Sequence, residues 1–185
     1  MIVQVKQGSL TDGDETVLVN ASNTSLWLGS GVSGAIRAAC GPGYQDYITK
    51  EMQARVGTNL SPGGVLITNA GTHPRAKWVA HAAVMDYRGI GFQRAEPTLK
   101  VIEQCCHNLL FSIDKVIPEP VTVAWVALGA GVGGLSVEDS IRVACTNLRA
   151  RTPTHIKGVT FYGYSQDEFK RIDEVVRRFY TGEGD

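Results

Sequence analysis

An excess of either charge is what this sequence most plainly lacks: eighteen Lys and Arg side chains balance eighteen Asp and Glu. A formally neutral chain has no global field to draw it onto nucleic acid or an anionic membrane, so nucleic acid is not an expected partner. A ligand carrying phosphate would have to be held locally, by backbone dipoles and shape. No uninterrupted apolar run approaches the length needed to cross a bilayer, and no membrane partner is expected. Cysteine is scarce. The four, Cys40, Cys105, Cys106 and Cys145, match no zinc spacing, and the adjacent pair cannot both ligate from one helix face. They read as reduced, helix-borne and structural; no metal and no cofactor are expected. The start, Met1-Ile2-Val3-Gln4-Val5-Lys6, alternates like a strand and lacks the apolar centre of a signal peptide, which predicts a cytoplasmic location. Linkers, repeat arrays and low-complexity stretches are missing as well. A length of 185 residues then predicts a single domain over 1–185, fraying at 181–185.

What is present is an alternation of strands and helices. Ile2–Lys6, Thr16–Asn20, Val65–Asn69, Trp78–Ala83, Val121–Leu128 and Gly158–Tyr164 read as strands. Helices are expected over Val32–Ala39, over Tyr44–Val56 after the break at Gly41-Pro42-Gly43, and from about Pro97 to Ile113. Ser136-Val137-Glu138-Asp139 and Ser165-Gln166-Asp167-Glu168 supply N-caps with a carboxylate three residues on. The second of these opens a helix that stacks Phe169, Ile172, Val176 and Phe179 on one face. Such alternation predicts an α/β chain whose sheet is covered by helices on both faces, with ligands bound beyond the carboxyl ends of its strands.

Two glycine-rich stretches fall at that edge, Gly29-Ser30-Gly31-Val32-Ser33-Gly34 and Gly129-Ala130-Gly131-Val132-Gly133-Gly134. Both fit G-x-G-x-x-G and both lead toward a helix, a pattern that lets backbone N–H groups approach phosphate. One match is weak evidence; two in a small chain point to a diphosphate gripped from both sides. A P-loop is excluded, because neither loop carries its lysine. A dinucleotide-binding site would need an acid at the end of the strand after the loop, and Gly163-Tyr164-Ser165 offers none.

The segment Val17-Leu18-Val19-Asn20-Ala21-Ser22-Asn23, then Leu26, then Gly29 to Ile36, resembles the signature of macrodomains, in which a strand ends in Asn-Ala-Ala-Asn and a glycine loop opens the next helix. Gly8-Ser9-Leu10-Thr11 is similar to the family's Gly-Asp-Ile-Thr, Leu128–Ser136 to its second diphosphate loop, and Tyr162-Gly163-Tyr164 to the strand end that covers the adenosine. The resemblance implies a three-layer α/β/α fold with a mixed central sheet, and binding of ADP-ribose or of ADP-ribosylated protein. It implies that Ser9, Leu10 and Tyr164 meet the adenosine, that Ala21 belongs to the ligand-binding set while Asn20 braces the turn, and that Gly29, Gly31, Val32 and Ser33 face Gly129, Ala130, Gly131, Val132 and Gly133 across the diphosphate. Asn23, with a carboxamide that donates and accepts, is expected at the distal ribose.

Three positions depart from the family pattern. Ser9 stands where many macrodomains carry an aspartate for the adenine amino group, with Asp12 and Asp14 as alternatives in the same loop. Gly133 stands where an aromatic often covers the distal ribose. Ser33 stands where one hydrolase branch carries an aspartate, and serine without a neighbouring base takes no proton near neutral pH. Binding is therefore the primary expectation. The alternative is an ADP-ribosyl hydrolase, or an enzyme processing ADP-ribose esters or the 1″-phosphate, with Asn23 as the catalytic candidate and a water activated by the substrate's own diphosphate.

Elsewhere the residues read as structural. His81 inside an apolar strand is expected as a hydrogen-bonded core residue, Trp125 as core, and Trp27 as core or loop packing. Asp86-Tyr87-Arg88 reads as a solvated loop, with a lid as the alternative. Arg149, Arg151, Lys157, Arg177 and Arg178 would have to cluster for a nucleic-acid interface to form.

Overall fold

The computed structural model describes residues 1–86, 97–151 and 153–182. Six strands form one sheet: β1 (Ile2–Gln7), β2 (Val17–Asn23), β3 (Val65–Asn69), β4 (Trp78–Met85), β5 (Val121–Trp125) and β6 (Ile156–Gly163). Their order is β1-β6-β5-β2-β4-β3, and every pairing is parallel except β3 with β4. The central strands β2 and β5 are buried along most of their length, as strands covered on both faces must be. The edge strand β1 differs: Val3 and Val5 turn to the core while Gln4 and Lys6 stay exposed.

Five helices cover the sheet: α1 (Gly31–Cys40), α2 (Tyr44–Arg55), α3 (Leu99–Val116), α4 (Val137–Ala150) and α5 (Gln166–Tyr180). α1 and α2 pack on each other and on β2 and β3, while α3, α4 and α5 form a row of neighbours, α3 against β3 and β4 and α5 against β1 and β6. The result is the expected three-layer α/β/α arrangement with a mixed sheet. Each covering helix buries a stripe, Ile102, Cys105, Cys106, Leu109, Leu110 and Ile113 on α3 and Ile172, Val175 and Val176 on α5. Trp125 on β5 and Phe161 on β6, both fully buried, set their ring centroids 6.1 Å apart.

Boundaries shift where a side chain decides them. α3 starts at Leu99 rather than Pro97, because the Thr98 hydroxyl accepts from the Val101 amide and caps the helix there. Ser136 and Ser165 cap α4 and α5 in the same way, accepting from Asp139 and Glu168. β5 ends at Trp125, so Val126 to Leu128 leave the ladder although they are as apolar as the strand. β2 instead continues to Asn23, with a register shift between Ser22 and Asn23. A short 3-10 turn, Leu10–Asp12, follows β1 and had no signal in the hydrophobic pattern.

Candidate ligand-binding site

Five strands, β1, β6, β5, β2 and β4, run in one direction, so their carboxyl ends share one edge of the sheet. The segments that leave those ends enclose a cavity of about 530 Å³. Of the residues expected there, Ser9, Leu10, Ala21, Gly31, Val32, Gly129, Ala130, Gly131, Gly133 and Tyr164 line it. Both glycine loops thus border one space. Gly31 and Gly131 have φ near +59° and +69°, the left-handed region, and a Cβ on either would meet nothing within 4 Å. These backbones are therefore bare where they border the cavity.

α1 opens at this cavity through Ser30, Gly31, Val32 and Ala35. Its N-cap, Ser30, makes no side-chain capping bond, and its first turn carries no acid. The first N–H groups of any helix have no intrahelical partner. Where α3, α4 and α5 satisfy one of theirs with a hydroxyl, α1 leaves its own toward the cavity, with the positive end of its dipole.

The other expected residues sit behind or beside this wall. Asn20 is fully buried; its Oδ1 accepts from Ser33 Oγ at 2.8 Å and its Nδ2 donates to His81 Nδ1 at 3.0 Å. Ser33 Oγ also lies 3.2 Å from the Ala21 carbonyl. On the far side His81 Nε2 is 3.0 Å from Thr68 Oγ1, and Thr68 and Tyr44 both reach the Asn69 carbonyl. One proton per bond satisfies the chain if His81 carries its hydrogen on Nε2. Burial lowers the His81 pKa to about 3, with Arg55 adding to the effect, so the ring is neutral. The start of α1 is thereby tied to the sheet through a buried polar chain.

Asn23 is engaged in its own turn. Its Oδ1 accepts from Ser25 Oγ at 2.9 Å and from the Trp27 amide at 3.1 Å, and its Nδ2 donates to the Trp27 carbonyl at 3.1 Å. Gly29 is exposed just before Ser30, and Val132 is the middle residue of the Gly131–Gly133 turn. Of the two readings of Trp27, core packing fails: it is 57% exposed, with the Arg37 guanidinium 5.4 Å from its ring centre. It sits between buried Leu26 and Leu28, and their alternation turns the middle side chain outward. Residues 87–88 of the lid reading lie outside the described residues.

Sequence reasoning passed over Gly8, Ser30, Ala35, Val84, Met85, Val126, Ala127 and Glu168 as site residues, and these also line the cavity, as does Tyr162. Tyr162 had a signal in sequence, standing two residues before Tyr164 at the strand end quoted for the adenosine. Its hydroxyl donates to the buried Glu15 carboxylate, and burial together with that carboxylate holds its pKa well above the ordinary tyrosine range. Asp12 and Asp14 do not line the cavity; Asp14 is exposed and 3.7 Å from Arg75.

A sheet edge with two glycine loops, an Asn-Ala-Ser-Asn strand end and a helix opening between them is matched elsewhere. The sequence model of the family described as Macro domain matches residues 19–144. The chain belongs to the macrodomain family. This macrodomain is 27% identical, over 95% of its length and 94% of the relative's, to a macro domain-containing protein of Streptomyces griseus. It is 31% identical to one of Streptomyces nogalater, over 86% and 83%. A solved glycine-to-valine variant of the Oceanobacillus iheyensis macrodomain with ADPR superposes at a TM-score of 0.78, 24% identical, covering 99% of this chain and 93% of that one. The Trypanosoma brucei macrodomain in complex with ADP-ribose gives 0.76, at 21% identity over 94% and 68%.

Among the described residues, no group of histidines, cysteines and acids of this macrodomain is placed to hold a metal ion, and no helix is long and apolar enough to cross a membrane. The basic residues weighed for nucleic acid are largely spoken for. Arg177 pairs with Asp173 and Arg178 with Glu174, each at 2.8 Å, and Arg149 reaches the Phe179 carbonyl.

Proposed function

We propose that this macrodomain binds ADP-ribose, free or attached to protein, along the carboxyl edge of its sheet. The observation that carries this reading is the uncapped start of α1, which opens into a cavity walled on its other side by the second glycine loop. The solved relatives from Oceanobacillus iheyensis and Trypanosoma brucei, which carry ADPR and ADP-ribose, support it. The order of the strands supports one layout of the ligand. Adenosine lies by β1 and β6 with Ser9, Leu10 and Tyr164, and the diphosphate lies between the amides of Gly31, Val32 and Ser33 and those of Gly129 to Gly133. The distal ribose extends toward Gly133 and Asn23. Asn20 acts from behind, holding Ser33 and through it the helix start.

Binding is favoured over turnover. Among the described residues, the ionisable ones lining the cavity are Tyr162, Tyr164 and Glu168, all from β6 and the segment just beyond it. Ser33 Oγ is committed to Asn20 and Ala21, and the Asn23 carboxamide to its own turn. Hydrolysis would then rest on the substrate's own diphosphate, and release of ADP-ribose from modified protein is expected to be slow. Calorimetric titration with ADP-ribose beside AMP, ADP and NAD tests the reading. Saturable, selective binding of ADP-ribose that Gly31→Glu abolishes supports it; no heat with any of the four overturns it.

A further inference from the structure

We propose that Glu168 reads the base of the bound nucleotide and selects a purine bearing an exocyclic amino group over its oxo counterpart. The inference rests on the ADP-ribose reading and adds the residue that makes the base end specific.

Among the described residues Glu168 is the only charged side chain lining the cavity. It is half-buried in the first turn of α5, and its place is fixed by close packing. Gly163 seats it, because a Cβ there would fall 2.5 Å from the Phe169 amide nitrogen and 2.9 Å from the Glu168 carbonyl carbon. The Gly8 amide donates to the Gly163 carbonyl at 2.9 Å, which brings Gly8 and Ser9 to the same spot. Tyr164, 79% exposed, stands beside the carboxylate and donates its backbone amide to Oε1 at 3.4 Å. Oε2 has no partner among the described residues. An open aromatic face next to an under-used carboxylate, at one end of an otherwise uncharged cavity, suits a flat ring that donates hydrogen bonds.

The position also sets polarity. β6 and β2 are two strand spacings apart, roughly 10 Å, so Glu168 and the α1 start occupy different ends of the cavity. A carboxylate repels phosphate, whereas the α1 amides attract it, so the two ends orient the same ligand. Ser9 also brings a hydroxyl to the base end, and it is already engaged within its own turn. Its Oγ lies 2.8 Å from Thr11 Oγ1 and accepts from the Thr11 amide, capping the short turn. Glu168 is the charged acceptor at that end, and the stronger one. A carboxylate accepts and never donates, so an amino group gains a charge-assisted bond while a carbonyl oxygen in its place meets a like partner.

The test compares ADP-ribose with the same molecule carrying hypoxanthine in place of adenine, by calorimetry on the wild type, Glu168→Gln and Glu168→Asp. Glutamine keeps the capping capacity of the position but both donates and accepts. The wild type is expected to prefer the amino form by about tenfold or more, Glu168→Asp to retain a preference, and Glu168→Gln to bring the two within about threefold, at an unchanged thermal midpoint. A wild type that does not discriminate, or a Glu168→Gln that keeps the wild-type ratio, overturns the assignment and leaves Glu168 as a cap. A wild type that binds neither molecule overturns the ADP-ribose reading itself, a separate result.

Discussion

Lowering the pH from 7 to 5 is predicted to destabilise this protein through one buried residue, His81. The ring has no exposed surface, and its two nitrogens meet Asn20 and Thr68, an arrangement that needs a single ring proton. Burial lowers its pKa from the ordinary 6.5 to about 3. The unfolded chain therefore takes up a proton near pH 6.5, whereas the native chain takes none until about pH 3. Stability is complete above about pH 6.5 and falls as the pH drops toward 3. One proton corresponds to about 1.4 kcal/mol per pH unit, so the stretch from 6.5 to 5 costs about 2 kcal/mol. Against a typical net stability of roughly 5–15 kcal/mol that is a large fraction. Urea unfolding reads it as a midpoint shift of about 1 M, for an m-value near 2 kcal/mol/M. The variant His81→Gln, which has nothing to protonate, is expected to lose about 2 kcal/mol less over the same interval. The difference between the two proteins isolates the contribution of His81. Equal losses for wild type and variant would refute the reasoning.

Two further outcomes follow from the packing of α5. Arg171 grips Glu138 on α4 with two bonds, Nε at 2.5 Å and Nη2 at 2.8 Å, which holds the carboxyl down at about 2. That contribution is present above about pH 4.5 and lost as the pH falls through about 2, so Glu138→Gln is expected to flatten the acid limb of a stability–pH curve. The pair is half-exposed, and at neutral pH the variant should cost little; no change in the acid limb would contradict the prediction. Gly163→Ala places a methyl against the backbone of the α5 first turn, at 2.5 and 2.6 Å from the Phe169 N and Cα. A cost of about 1–3 kcal/mol is expected, read by scanning calorimetry as a drop of roughly 2–12 °C; an unchanged midpoint would refute it.

Much of the fold was legible because apolar runs and caps are local signals. Val17-Leu18-Val19 and Val121 to Trp125 announce buried strands by composition, and Ser136 and Ser165 announce helix starts by the hydroxyl they supply. Register and strand ends were not local. Val126 and Ala127 read as strand because they are apolar, yet they leave the ladder to line the cavity, which only the neighbouring strands decide. The site divides in the same way. The two glycine loops declare themselves in sequence, since bare backbone at a helix start has few other uses. Glu168 did not, because Ser-x-x-Glu is already explained as a capping box, and its place on the cavity wall depends on how closely α5 seats on Gly163. The direction of the Asn23 carboxamide, turned back onto Trp27, is likewise a property of the folded loop rather than of the motif.

The central claim is that ADP-ribose lies between the two glycine loops, and amide mapping by NMR tests it most directly. On titration with ADP-ribose, saturable shifts are predicted at Gly8 to Leu10, Gly31 and Val32, Gly129 to Gly131 and Tyr164, with the outward face of α3 unchanged. Shifts confined to other surfaces, or none at saturating ligand, would contradict the account.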